Sequence, residues 1–193
     1  MNRPHPAGAA GHVRIIGGRW RGSKIPVPQL PGLRPSSDRL RETLFNWLQA
    51  ETAGARVLDL FAGTGALGLE AASRGAAHVD FVERATEAAA ALRTVIARLD
   101  PDDRSSLVVH QSDALRFLES SAGGWDLVFV DPPFAAGLGG EALAALAPRL
   151  SARAHVHVES PLGKPAQPPA GWVLHREARS REAHVALYRV GTA

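Results

Sequence analysis

An α/β fold, with a mostly parallel sheet covered by helices on both faces, is what this sequence predicts, and three observations carry the prediction. From Arg56 onward, short apolar runs alternate with Ala/Leu-rich helical segments, the pattern of strands buried on both faces beneath crossover helices. The glycine-rich turn Gly63-Thr64-Gly65-Ala66-Leu67-Gly68 follows the first run and opens a helix. Carboxylates stand at the ends of successive runs, the edge at which open α/β sheets bind ligands. At 193 residues and 45% hydrophobic content, the chain can bury one full-sized core with an appendage.

Residues 1–11 have too little apolar content to pack and read as a flexible leader. Residues 13–27 predict a hairpin turned at Gly17-Gly18, since paired glycines tolerate the positive φ of a two-residue turn. Pro26, Pro28, Pro31 and Pro35 hold the chain irregular until Ser36-Ser37-Asp38. These residues can cap a helix whose Leu40, Leu44, Trp47 and Leu48 fall on one face. Strands are predicted at 56–60, 78–83, 107–110 and 126–130, with helices near 66–74, 86–99 and 139–147. Apolar runs at 155–159, 171–175 and 184–190 complete a seven-stranded sheet, and the Pro-rich stretch 161–169 is a loop. The expected organisation is a leader over 1–11, a basic hairpin and linker over 12–35, and the sheet domain over 36–193.

The net charge of +3 is unevenly distributed. Residues 1–41 carry eight basic residues against Asp38 alone, a local charge of +7, and the remainder carries −4. A basic arm on a neutral-to-acidic body suits a phosphate backbone. No apolar run approaches the roughly 20 residues of a membrane span, and no hydrophobic secretory segment opens the chain. A soluble, cytoplasmic protein is expected. Without cysteine there is no disulfide framework, thiolate zinc site or cysteine nucleophile.

Gly63, Gly65 and Gly68 match a dinucleotide fingerprint, and Glu83, at the end of the second strand, suits a ribose diol of either a dinucleotide or S-adenosylmethionine. Asp59 favours the second, because a carboxylate there repels a pyrophosphate and attracts a cationic amino-acid end. Asp113, after the third strand, is placed either to accept from an adenine amine or to cap a helix from Ala114.

Asp131-Pro132-Pro133-Phe134 follows the apolar run 126–130 and so falls at the same sheet edge. Two prolines stiffen the loop and remove two donors, which leaves an acceptor array beside an aromatic face for a planar ring. An exocyclic amine is a poor nucleophile because its lone pair is delocalised into the ring. Acceptors that hold its hydrogens localise that pair and aim it, and Asp131 is also placed to take the released proton.

At these residues the chain resembles class I, Rossmann-like methyltransferases with an (Asp/Asn)-Pro-Pro-(Tyr/Phe) motif. It is similar, more narrowly, to the bacterial small-subunit ribosomal RNA guanine-N2 methyltransferase family, RsmD. The narrower match rests on Arg14-Ile15-Ile16-Gly17-Gly18-Arg19-Trp20-Arg21-Gly22 and on Leu33-Arg34-Pro35-Ser36-Ser37-Asp38-Arg39-Leu40-Arg41-Glu42-Thr43-Leu44-Phe45-Asn46-Trp47, together with the two motifs above. The resemblance implies that the Arg34 to Arg41 segment, Arg34, Ser37 and Arg39 within it, holds the amino-acid end of S-adenosylmethionine. It implies that Asp59, Phe61, Gly63, Thr64, Gly65, Glu83, Arg84, Asp113 and Ala114 contact the rest. It further implies that Asp131 to Phe134 form the catalytic motif, and that Arg14, Arg19, Trp20, Arg21 and Lys24 meet 16S ribosomal RNA within a small-subunit particle. Phe134 stands where many relatives have Tyr, so stacking is retained without a hydroxyl.

A base turned out of its stack fits a pocket with an aromatic face and a basic arm gripping the backbone. DNA adenine-N6 and protein glutamine methylation are rivals within the class. The short chain, with no large target-recognition insert, counts against a sequence-specific DNA enzyme. A nicotinamide-dependent oxidoreductase would explain the glycines but not Asp131 to Phe134, and a non-catalytic RNA-binding protein would leave both motifs idle. His155 and His157 share one strand face, but no third metal ligand is evident and no metal is expected. Arg176, Arg179 and Arg181 read as a solvated loop. A monomer is favoured.

Overall fold

The structure, a computed structural model, describes residues 11–27, 38–103, 105–133, 138–180 and 183–191. Chain order runs β1 (His12–Arg14), β2 (Lys24–Pro26), α1 (Asp38–Trp47), β3 (Arg56–Asp59), α2 (Ala66–Ser73), β4 (His78–Glu83), α3 (Thr86–Leu99) and β5 (Ser106–Gln111). It continues through α4 (Ala114–Ser120), β6 (Trp125–Val130), α5 (Gly139–Leu146), a 3-10 turn at Ala147–Arg149, β7 (Leu150–Pro161), β8 (Trp172–Arg179) and β9 (Ala183–Val190).

Seven strands form one sheet in the order β5-β4-β3-β6-β7-β9-β8. The first five are parallel, and β9 enters antiparallel between β7 and β8. β3 and β6 lie at the centre, which is why Val57, Leu58, Leu127, Val128, Phe129 and Val130 are all fully buried. The chain leaves β3 outward through β4 and β5, then returns to the other side of β3 as β6, so the strand order reverses between β3 and β6. A crevice at the carboxyl ends of the strands is expected at that reversal.

Each sheet face carries its own core. One packs Val57, Phe81, Leu127 and Phe129 against the hairpin, α1, α2 and α3, with Phe45 tilted 5.8 Å from Phe129. The other packs Leu58, Val82, Val128 and Val156 against α4 and α5.

Several sequence expectations need correction. The hairpin exists, with Val13 opposite Ile25, but it does not turn tightly at Gly17-Gly18. Residues 15–23 form a wider loop that docks on α2 instead. The fully buried Glu70 accepts from the amides of Ile16 and Gly17 at 2.7 and 2.8 Å and from Arg74 Nε at 2.7 Å. Ser73 accepts from the Trp20 amide through Oγ at 2.9 Å and from the Arg19 amide through its carbonyl at 2.8 Å. Gly18 adopts φ +75°, and a Cβ there would stand 1.9 Å from the Ser73 carbonyl oxygen, so the loop needs glycine for close approach rather than for a two-residue turn. Gly11, placed in the leader by sequence, already accepts from the Val27 amide at 2.8 Å. β8 extends through Arg176 and Arg179, so these residues lie in a strand rather than a loop; Arg181 is outside the described residues. As an edge strand with charged residues in its second half, β8 shows no long apolar run to read.

Candidate active site

Registers place four carboxylates on one sheet face, one on or just past the end of each of four adjacent strands. Asp59 is the Cα partner of Phe81 on β4 and of Phe129 on β6, and Phe129 is the partner of His157 on β7. Two residues further along come Glu83 and Glu159 within their strands and Asp131 just past the end of β6, on the same face if the strand's period-two alternation is continued by one residue. The row therefore runs Glu83, Asp59, Asp131, Glu159, with Asp59 set one step deeper, on the face bearing the hairpin, α1, α2 and α3.

Asp59 is 2% exposed, and its Oδ2 accepts from the Gly68 amide at 2.9 Å. That amide lies in the first turn of α2, whose N-cap, Gly65, has φ +75° and supplies no side-chain cap. A dinucleotide pyrophosphate would occupy these same amides, and here a protein carboxylate fills the position. Burial pushes the Asp59 carboxyl up to about 7, Asp131 and Glu83 push the same way, and the Gly68 hydrogen bond opposes them. A buried carboxyl surrounded by other carboxyls is suited to a cationic ligand.

Gly65 and Gly68 let the turn pack closely against the body. Besides the strain its φ would impose, a Cβ on Gly65 would stand 2.4 Å from Leu92 Cδ1, and one on Gly68 would stand 2.3 Å from Phe81 Cε1. Glu83 accepts from the Gly63 amide at 2.9 Å and from the Ala85 amide at 2.6 Å, so it ties the turn to the β4 exit while keeping further lone pairs for a diol. Asp113 caps α4 through Oδ1, which accepts from Leu115 N at 3.0 Å and Arg116 N at 3.4 Å, and Oδ2 has no hydrogen bond among the described residues. The cap and the adenine-amine reading therefore use different oxygens. Phe61 and Thr64 are half-buried beside the turn, Arg84 is exposed, and Ala114 is buried under α4.

Asp131 is half-buried, Pro132 is buried and Pro133 is exposed at the end of β6. Phe134 lies outside the described residues, as do Arg34 and Ser37, while Arg39 is exposed in the first turn of α1. Arg41, three residues after Asp38, is buried to 1% and donates to the Arg14 carbonyl at 2.6 Å and to Asp38 at 2.8 Å.

Glu159 is the residue that sequence reading missed, although it closes an apolar run just as Glu83 and Asp131 do. Burial, followed by the nearby Asp131 charge, pushes its carboxyl up to about 8. Beneath it His157 is fully buried, and desolvation lowers it to about 4, so it is a neutral ring packed edge-on to Phe129 at 5.9 Å. His155 accepts from Arg189 Nε at 3.0 Å, and no cluster of three metal-ligating residues occurs among the described residues. A cavity of about 340 Å³ lined by Pro165, Pro168, Glu177, His184 and Tyr188 is separate from this row. Tyr188 there belongs to the core of the opposite sheet face.

The predicted RNA-contacting residues divide. Arg14, Arg21 and Lys24 are exposed. Trp20 is 8% exposed and packs in the body, so it offers no free ring to a base; this corrects the reading of Trp20 as an RNA contact. Arg19 lies over the Trp20 ring at 4.3 Å and pairs with Asp100 at 3.2 Å and with Ser105. Ser105 precedes β5, so Arg19 is at the sheet edge opposite Asp131. Arg98, unforeseen from sequence, donates to the Lys24 carbonyl at 2.6 Å and adds a cation beside the hairpin.

Known proteins resemble this chain over most of its length. A family model described as conserved hypothetical protein 95 matches residues 13–189. Ribosomal RNA small subunit methyltransferase D from Escherichia coli strain K12 is 44% identical, with 98% of this chain and 95% of that one covered. The protein of the same name from Haemophilus influenzae is 38% identical, over 98% of this chain and 100% of that one. Among solved structures, yhhF from Escherichia coli superposes with a TM-score of 0.84 at 41% identity, covering 95% of this chain and all of the other.

Proposed function

The chain belongs to the ribosomal RNA small subunit methyltransferase D family and has the Rossmann-like fold of class I methyltransferases; from that premise we propose that it transfers a methyl group from S-adenosylmethionine to the exocyclic N2 amine of a guanine in 16S ribosomal RNA. The observation that carries the reading is the carboxylate row at the strand reversal, with Asp59 buried on the cofactor side and Asp131 beside it just past the end of the neighbouring strand β6.

S-adenosylmethionine, when bound, supplies an electrophilic methyl on a sulfonium. The residues present fit that group: Asp59 and its acidic neighbours favour a cation, Glu83 has lone pairs for the ribose, and Asp113 Oδ2 has no donor among the described residues. Arg34, Ser37 and Arg39 would hold the amino-acid end. Asp131 and the backbone carbonyls of its proline loop hold the hydrogens of the amine, which localises the nitrogen lone pair and orients it. Asp131 would receive the proton that the nitrogen gives up on accepting the methyl group, and the donor would depart as a neutral thioether. Phe134 supplies a stacking face. Gly68 already donating to Asp59 disfavours a nicotinamide dinucleotide, whose pyrophosphate would need that helix start.

Arg14, Arg21, Lys24 and Arg98 form the basic surface for ribosomal RNA, probed within a small-subunit particle in the cytoplasm. No helix among the described residues is long and apolar enough to cross a membrane. Incubation with radiolabelled S-adenosylmethionine and, separately, small-subunit particles, naked RNA and DNA, followed by nucleoside digestion, tests the reading. Label in N2-methylguanosine is expected; label confined to N6-methyladenosine or DNA contradicts it.

A further inference from the structure

We propose that Glu159 is a specificity-determining residue, reading the N1–H and O6 edge of the guanine whose N2 amine is held at Asp131. The inference rests on the proposed base methylation and extends it to a residue outside every recognised motif.

The geometry comes from the sheet. Val130 and Val158 are register partners on parallel strands, so Asp131 and Glu159 are the next pair along and point to one face. Neighbouring strands lie about 4.8 Å apart, so the two carboxyl groups sit side by side across the mouth of the site. The methyl donor's side is fixed by Asp59 and Glu83 on β3 and β4, at the other end of the row. With its amine at Asp131 and its nitrogen aimed toward β3, the remainder of a base extends toward β7, where Glu159 stands. On β9 the Cα partner of Glu159 is the apolar Val185, and beneath Glu159 lies the neutral His157, so the charged neighbour shifting it among the described residues is Asp131.

The chemistry selects guanine. Beside its N2 amine guanine presents N1–H, a donor, and then O6, an acceptor. A neutral carboxyl matches both, its carbonyl oxygen accepting from N1–H and its hydroxyl donating to O6, whereas an ionised carboxylate would face O6 with like polarity. Two adjacent carboxyls resist ionising together, and the Glu159 carboxyl stays protonated up to about pH 8 beside Asp131. Adenine and 2-aminopurine present an unprotonated ring nitrogen next to the amine and no O6, so both of these hydrogen bonds are lost and at most one, from the carboxyl hydroxyl to the ring nitrogen, replaces them.

The test compares Glu159→Ala and Glu159→Gln with the unaltered protein on small-subunit particles reconstituted with either guanine or 2-aminopurine at the methylated position. An unpaired buried polar group costs on the order of tenfold to a hundredfold in kcat/KM, so the unaltered protein should prefer guanine by about that factor. Glu159→Ala should lose most of its guanine rate and bring the preference to within about threefold, with S-adenosylmethionine affinity retained. Glu159→Gln, which keeps an acceptor and a donor, should restore the preference and remove the fall in rate above about pH 8. A Glu159→Ala protein that keeps the full preference overturns the inference while the methylation reading stands. Unaltered protein that methylates neither particle overturns both.

Discussion

Asp59 concentrates the site's cost and its use in one side chain. Its ordinary value of 3.8 rises to about 7 on folding, chiefly through burial. Between those values the folded chain binds a proton that the unfolded chain has released, so stability falls as pH rises from about 4 to about 7, and the full cost persists above. Asp59→Asn keeps an acceptor for the Gly68 amide and removes the charge. Denaturant titration should show the variant more stable than the parent at pH 8 by roughly 2–4 kcal/mol, with less than half that gain at pH 5. Calorimetry should show S-adenosylmethionine affinity lowered at least tenfold at pH 8. For the parent, affinity should weaken as pH falls below about 7, since a protonated Asp59 attracts no cation; equal affinity at pH 6 and 8 contradicts the assignment. The sequence exposed Asp59, Glu83, Asp113 and Asp131 because each follows a readable strand. Glu159 carried the same signal, a carboxylate closing an apolar run, but it belongs to no familiar motif, and only strand order shows it next to Asp131.

Among the elements, the basic hairpin differs most from what the sequence suggested. Alternation at Val13 and Ile25 and the glycines at 17 and 18 indicated two strands and a turn, and the strands exist. The loop geometry depends on Glu70 and Ser73, more than fifty residues away, and no local pattern encodes that contact. Trp20 follows the same logic: the family resemblance implies that it meets RNA along with its flanking arginines, yet its ring fills a gap in the body. Trp20→Ala should therefore destabilise the fold by about 3–5 kcal/mol, measured by thermal or denaturant unfolding. Arg14→Glu combined with Lys24→Glu should leave stability within about 0.5 kcal/mol and weaken RNA binding. The slope of log affinity against log salt should shrink by about one per lysine or arginine removed. An unchanged salt slope would remove the hairpin from the RNA surface. Strands β3 and β6 were legible because burial on both faces makes them almost continuously apolar, and β4 and β5 by their short apolar centres. α4 is short, and the sequence offered it only as an alternative role for Asp113, which in the structure caps it.

In the whole molecule, the order β5-β4-β3-β6-β7-β9-β8 brings together residues between 59 and 159 in sequence and gives them one face. Periodicity identifies strands but not their neighbours, so the row of four carboxylates was only partly visible beforehand. The hairpin is fastened to this frame through the buried Glu70, and Arg41 on α1 holds its Arg14 carbonyl. Glu70→Ala would leave two amides and Arg74 without their acceptor, at a cost of about 1–3 kcal/mol. Hydrogen exchange should quicken at Ile16, Gly17, Arg19 and Trp20 while β3 and β6 keep their protection; uniform acceleration would mean that the arm and sheet unfold as one unit. The central claim is that the acceptor loop after β6 performs the transfer while the residues of β3 and β4 hold the methyl donor. It is tested most directly by measuring, on one Asp131→Ala preparation, both methyl transfer to small-subunit particles and S-adenosylmethionine binding. Transfer reduced at least a thousandfold with binding within about threefold of the parent is the predicted result, and methyl transfer at an undiminished rate would contradict it.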